Sequence, residues 1–177
     1  MGLETMAGGL LIGLLQLLLG LVVAMFSIYL GIKLFDRITV NIDEMKELKK
    51  GNVAVGILLG AVILSIANVV QSGVASITGS ITAGMGPGAL MVSLAIGIIN
   101  LLIGLIAAVV SIYLAMSILD KITVEIDEWK EVKRGNVAVA IMMAAVLFAV
   151  SFVVQAGVAG ISRALDARAL AAIFGLA

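Results

Sequence analysis

The sequence predicts an all-α integral membrane protein whose four transmembrane helices form two parallel-topology tandem αα-hairpin repeats. Three observations carry this expectation. Apolar residues make up 63% of the 177 and mean hydropathy is +1.28, against roughly 45 to 50% apolar in a soluble domain. Lys, Arg, Asp and Glu are missing from 5–32, 51–119 and 135–162, runs of 28, 69 and 28 residues. Since about 20 apolar residues cross a bilayer, the outer runs hold one helix each and the middle run holds two with a turn. Finally, the segment starting at Ser27 aligns with the one starting at Ser111, an offset of 84, with 19 of 30 positions identical and no gap.

The elements follow in chain order. The Leu-rich stretch 10–23 has the look of a secretory signal, but no Lys or Arg precedes it and the apolar run is too long, so a retained first span is expected over about 8–35. A charged hairpin leads to the second span, about 52–77. The TGSITAGMGPG turn, with the chain's single proline, Pro87, leads to the third span, about 89–119. A second charged hairpin precedes the fourth, about 136–162. This divides the chain into a first repeat, 1–84, a second, 85–162, and a tail, 163–177, which continues the last span or lies in the interface as a short helix. Two crossings per unit make the repeats parallel rather than inverted.

The charged hairpins hold nine basic residues, Lys33, Arg37, Lys46, Lys49, Lys50, Lys121, Lys130, Lys133 and Arg134, against Arg163 and Arg168 elsewhere. Basic loops stay inside. Both hairpins are therefore expected in the cytoplasm, with both termini outside a plasma (inner) membrane.

Each hairpin reads as a short helix. Asn41 is the expected N-cap in the first, with Glu125 at the matching position in the second, and Asp43, Glu44, Asp127 and Glu128 suit the positive end of the helix dipole. Asp43 with Lys46, Glu47 with Lys50, Asp127 with Lys130 and Glu131 with Arg134 are i, i+3 pairs. Gly51-Asn52 and Gly135-Asn136 mark a change of direction where each second span begins. A structural junction is one reading of these residues. The other is a symmetric polar mouth of Asp36, Thr39 and Asn52 with Asp120, Thr123 and Asn136, whose oxygens suit a hard cation such as Mg²⁺ or Ca²⁺. Ligand spacing does not single out a metal site, and none is assigned.

These residues carry a family resemblance. Two tandem two-helix units, each with an Asp (Asp36, Asp120), a Thr (Thr39, Thr123), an acid (Glu47, Glu131) and Gly-Asn-x-Ala (Gly51, Asn52, Ala54; Gly135, Asn136, Ala138), resemble the YjfL-like family of uncharacterised prokaryotic inner-membrane proteins. The resemblance covers nearly the whole chain. It implies a fold and a location and supplies no activity.

Within the spans, Gly13, Gln16, Gly20, Ala24, Ser27 and Gly31 form one helical stripe, repeated as Gly97, Asn100, Gly104, Ala108, Ser111 and Ala115. Lipid gives apolar side chains no preference for one another, so small residues that admit a neighbouring backbone drive association. Gly56-xxx-Gly60 and Gly9-xxx-Gly13 are the expected closest approaches, within the bundle or across an oligomer seam. Gln16, Gln71, Asn100 and Gln155 count to one depth, roughly 30 Å from the charged hairpins at 1.5 Å per residue. They are expected to form an amide layer, either as structural glue or as a polar constriction.

The chain has no Cys and no His, so thiol and imidazole chemistry, haem and structural zinc are excluded. No charge lies inside a span, which disfavours proton- or ion-coupled transport. Neither an enzyme nor a bound cofactor is expected. Net charge is zero and no basic stripe exists, so nucleic acid is not an expected partner. The expected partners are the lipid bilayer, further copies of the chain, and a cytoplasmic or membrane protein. The function expected is a scaffold or accessory membrane subunit presenting two charged hairpins; the alternative is a small channel or uncoupled permeation pathway through the amide layer.

Overall fold

The computed structural model describes residues 3–38, 43–81 and 86–165. Six helices run in the order α1 Leu3–Ile38, α2 Glu44–Lys49, α3 Val53–Ser80, α4 Pro87–Ile122, α5 Glu128–Lys133 and α6 Val137–Ala164. Helices α1 and α4 have 36 residues, α2 and α5 have 6, and α3 and α6 have 28, so the same trio occurs twice. The four long helices are each long and apolar enough to cross a membrane. The C-terminal tail from 166 onward lies outside the described residues, so its expected interfacial helix does too.

Local sequence sets the helix ends. Pro87 opens α4, where its fixed φ is pre-organised and its missing N–H is one no helix would use. The short helices are capped by Asp43 and Asp127, whose carboxylates accept from the Lys46 and Lys130 amides, both at 3.0 Å. This corrects the cap expected at Glu125, which stands too far back to reach the first free amides of α5. Asn41 lies outside the described residues. It also corrects two expected ion pairs, because Asp43 and Asp127 bind the backbones of Lys46 and Lys130. Glu47 pairs with Lys50 at 2.6 Å and Glu131 with Arg134 at 3.0 Å.

Helix α3 is the centre of the bundle and packs against α1, α4 and α6. Helix α4 lies across both α3 and α6, whereas α1 rests on α3 and is peripheral. A buried cluster that includes Val55, Val62, Ile66, Val69, Leu105, Ile112, Met143 and Leu147 fills the space between them. By contrast, Leu10, Leu14, Leu17, Leu21 and Met25 on α1 are all more than half exposed. Lipid-facing helices are expected to look like this.

Within the chain the closest backbone approaches of the described glycines are not at the expected GxxxG pairs. A Cβ at Gly73 would stand 2.7 Å from the Leu101 Cα, one at Gly97 would stand 3.0 Å from the Ile77 Cα, and one at Gly31 would meet Ile66 side-chain atoms at 2.8 Å. Among the described residues nothing lies within 4 Å of a Cβ placed at Gly9, Gly13 or Gly60, and Gly56 meets only Leu48, at 3.5 Å. Gly20 touches Thr78 and Val74, and Gly104 touches Val69, Val70 and Val158. The difference is one of crossing points: α4 crosses α3 near Gly73, while α1 around Gly9 and Gly13 stands clear of the bundle.

Gly73→Ala should therefore lower the thermal midpoint in mild detergent, followed by circular dichroism, by the equivalent of about 1–3 kcal/mol, since backbone must move. Gly60→Ala should raise it by about 0.5–1 kcal/mol, the usual gain on replacing a mid-helix glycine. Equal midpoints for the two variants would count against the α3–α4 crossing.

Candidate functional site

The expected site residues gather at the charged-hairpin end, where each short helix turns into a span. Gly51 and Gly135 have φ of +79° and +90°, values that favour glycine. Each ends its short helix in a Schellman motif. In the first, the Gly51 amide donates to Leu48 at 2.9 Å and the Asn52 amide to Glu47 at 3.1 Å. In the second, Gly135 donates to Val132 and Asn136 to Glu131, both at 3.0 Å. The same asparagine then begins the next helix: Asn52 Oδ1 accepts from the Val55 amide at 3.2 Å and Asn136 Oδ1 from the Val139 amide at 3.4 Å. The Gly-Asn pair is thus the end of one helix and the cap of the next.

The amide nitrogens of the two asparagines differ. Asn136 Nδ2 donates to Glu131 Oε2 at 2.9 Å, within its own repeat. Asn52 Nδ2 lies 3.5 Å from Glu47 Oε2 and also crosses to the second repeat, donating to the carbonyls of Val132 at 3.2 Å and Lys133 at 3.0 Å. The end of α5 is thereby held over the start of α3.

Glu128 is 2% exposed, and burial, then the neighbouring Asp120 carboxyl, pushes its carboxyl above the usual 4.5. Glu47 is held below 4.5, chiefly by its hydrogen bond to Lys50, and Glu131 by its bonds to Asn136 and then Arg134. Glu44 lies in the first turn of α2 and is partly exposed. Asp36 and Asp120 are exposed in the last turns of α1 and α4, and the Thr123 hydroxyl donates back to Leu119 at 2.8 Å. Thr39 lies outside the described residues. Among the described residues no group of three or more acids is placed to hold a metal ion. Of the described mouth residues, Asn52 and Asn136 are helix caps, the Thr123 hydroxyl returns to its own helix and Asp120 stands beside Glu128.

At the other end the four amides do not form one layer of mutual contacts: two have different partners and two share a recess. Gln16 Nε2 donates to the Ile81 carbonyl at 2.8 Å, in an open recess between α1 and α3. Asn100 is fully buried and donates to Ser76 Oγ at 2.8 Å, tying α4 to α3. Gln71 and Gln155 share a second open recess of about 360 Å³ between α3 and α6, with Ser72, Ser76, Ser162 and Arg163. Below it Val69, Val70, Ile66, Val62, Leu147 and Met143 are 2% exposed or less.

Sequence reading missed two features here. Asn68 reaches Ser151 Oγ at 3.4 Å, a polar link between α3 and α6; its signal was an asparagine inside a charge-free run. The burial of Glu128 had no signal, because Glu44 occupies the same position in the other repeat and is partly exposed.

A family model, Domain of Unknown Function (DUF350), matches residues 9–108 and again 91–177. The chain belongs to that family. No curated protein and no solved structure matches it.

The acids at the hairpins make a signed pH prediction. Glu128 favours its protonated form in the fold, so its contribution to stability is present below pH 4.5 and is lost as pH rises through its elevated value. Glu131 favours its charged form, so its contribution is present above pH 4.5 and is lost as pH falls through its lowered value. In thermal melts in detergent, Glu128→Gln should raise the midpoint near neutral pH, with the gain fading in acid. Glu131→Gln should lower it near neutral pH, with the loss fading in acid. The same pH trend for both would contradict the assignment.

Proposed function

We propose that this DUF350 member is a YjfL-like multi-pass protein of the plasma (inner) membrane that acts as a scaffold or accessory subunit, presenting two shaped, charged hairpins to a cytoplasmic or membrane protein. One observation carries this reading. Each hairpin holds a short helix capped at both ends, and Asn52 ties the one in the second hairpin to the start of α3. A connection needed only to join two spans requires no such construction, since exposed links tolerate disorder. Lys46, Lys49, Lys130 and Lys133 stand exposed on these helices and offer a basic surface. We assign the chain no catalytic activity.

A second reading, a small channel or uncoupled permeation pathway, draws support from the recess at Gln71 and Gln155. Within one chain that recess stops on the dry layer of Val62, Ile66, Val69 and Leu147. A hydrated path would have to run between chains, so the scaffold reading is preferred.

Charge reversal of Lys46, Lys49, Lys130 and Lys133 to Glu should leave the thermal midpoint in detergent near the wild-type value and remove a protein that copurifies with the wild type. An unchanged set of copurifying proteins, with the fold intact, would refute the scaffold reading.

Orientation rests on the nine basic residues of the hairpins. Single cysteines placed at Lys49 and Lys133 of this cysteine-free chain should resist an impermeant thiol reagent added to intact cells, while one at Gly86 should react. Labelling of the hairpin positions from outside would reverse the assignment.

A further inference from the structure

The two repeats are 84 positions apart, so each contact between them has a twin pair, reached by moving the residue of the first repeat 84 positions forward and that of the second 84 back. The twins behave in two ways. Contacts inside a repeat recur: a Cβ at Gly20 would stand 3.6 Å from Val74, and one at Gly104 would stand 3.7 Å from Val158. Contacts that carry α4 onto α3 do not. Leu101 lies on Gly73 and Gly104 on Val69, but the twins, Leu17 and Gly20 of α1 and Gly157 and Val153 of α6, do not meet within the chain.

Both halves of that missing contact are open. Val69 is 0% exposed and its twin Val153 is 74% exposed; Leu105 is 5% exposed and its twin Leu21 is 56%. Ala54, Ala61 and Ser65 of α3 are buried, and their twins Ala138, Ala145 and Ala149 are exposed along one stripe of α6. Of the described glycines Gly73 comes closest to another helix's backbone, whereas among the described residues nothing lies within 4 Å of a Cβ at Gly157. The hairpin end follows suit. Asn52 Nδ2 reaches the carbonyls of Val132 and Lys133, and its twin Asn136 makes no such bond to Leu48 or Lys49.

We propose that α1 of one copy of this chain packs on α6 of a second copy in the way α4 packs on α3 within the chain. The template is in the structure itself: a helix with this small-residue stripe, seated on a helix with this alanine and glycine face. Leu17 of one copy then lies on Gly157 of the next, Leu21 is covered, and Asn136 faces the carbonyls of Leu48 and Lys49 across the junction. The interface is heterologous, because each copy contributes a different face. Copies inserted in one plane and one orientation associate head to tail and close into a ring where the rotation allows. The reading is independent of whether the assembly serves as a scaffold or a pore.

The chain has no cysteine, which makes the test direct. Differently tagged chains carrying Leu17→Cys and Gly157→Cys are coexpressed, and membranes are treated with a short bismaleimide. Mixed dimers should form, and preparations in which both chains carry Leu17→Cys, or both carry Gly157→Cys, should give little or none. Absence of the mixed product, or dominance of a like-with-like product, overturns the proposal. Separately, Gly157→Leu should convert the wild-type assembly to monomer by native mass spectrometry in mild detergent, with no fall in the thermal midpoint of the monomer. A wild-type monomer, or an assembly indifferent to Gly157→Leu, would mean that lipid covers the α6 face, and the proposal would fall.

Discussion

The architecture depends on the contact of two helix backbones where Gly73 of α3 meets Leu101 of α4. In lipid the apolar side chains of a span gain nothing by leaving their surroundings, so association rests on close packing and on the few polar links available. Glycine at this crossing lets dispersion contacts accumulate between backbones, and the Asn100 bond to Ser76 stands beside it. Seating α4 here brings it across α6 as well, which places Leu105, Ala108, Ile112 and Ala115 in the core. Helix α1, with a related stripe of small residues, has no comparable seat and remains on the rim.

The charged hairpins apply a second economy. Two residues, glycine in the left-handed region and the asparagine after it, end a short helix and cap a long one with no intervening loop. Because the acid three residues before the C-cap also takes the asparagine amide, the turn, the cap and the local charges are one network. Buried caps matter most at a membrane edge, where an unsatisfied backbone group has limited access to water. The network gives each hairpin a fixed shape, on which the proposed scaffold role relies.

Identity between the repeats does not make their environments identical. Glu128 is buried while Glu44 is partly exposed, and Trp129 packs against the core while Met45 is 57% exposed. The amides show the same divergence. Counting along the helices placed Gln16, Gln71, Asn100 and Gln155 at similar depth, but depth fixes only one coordinate. Rotation of each helix about its axis and the crossing points determine that Gln16 reaches a loop carbonyl, Asn100 a serine, and the two remaining glutamines a shared recess.

The sequence by itself determined four apolar helices, the 84-residue duplication and the location of the charged turns, because bilayer thickness and helix rise turn runs of composition into spans. It also held the Gly-Asn junction, since a left-handed turn and a helix cap are local chemistry. Choice of the capping residue was less legible: Asn41 and Asp43 are both good caps by type, whereas in the second hairpin Asp127 is and Glu125 is not, and Asp43 and Asp127 are the caps used. Only the tertiary structure decided which glycines are contact points. Gly73 and Gly157 are indistinguishable by residue type and repeat position, and one is covered by a backbone while the other is bare. The physical reason is that α3, α4 and α6 close around one another while α1 is left on the rim, so the contact of α4 on α3 has no counterpart of α1 on α6 within the chain.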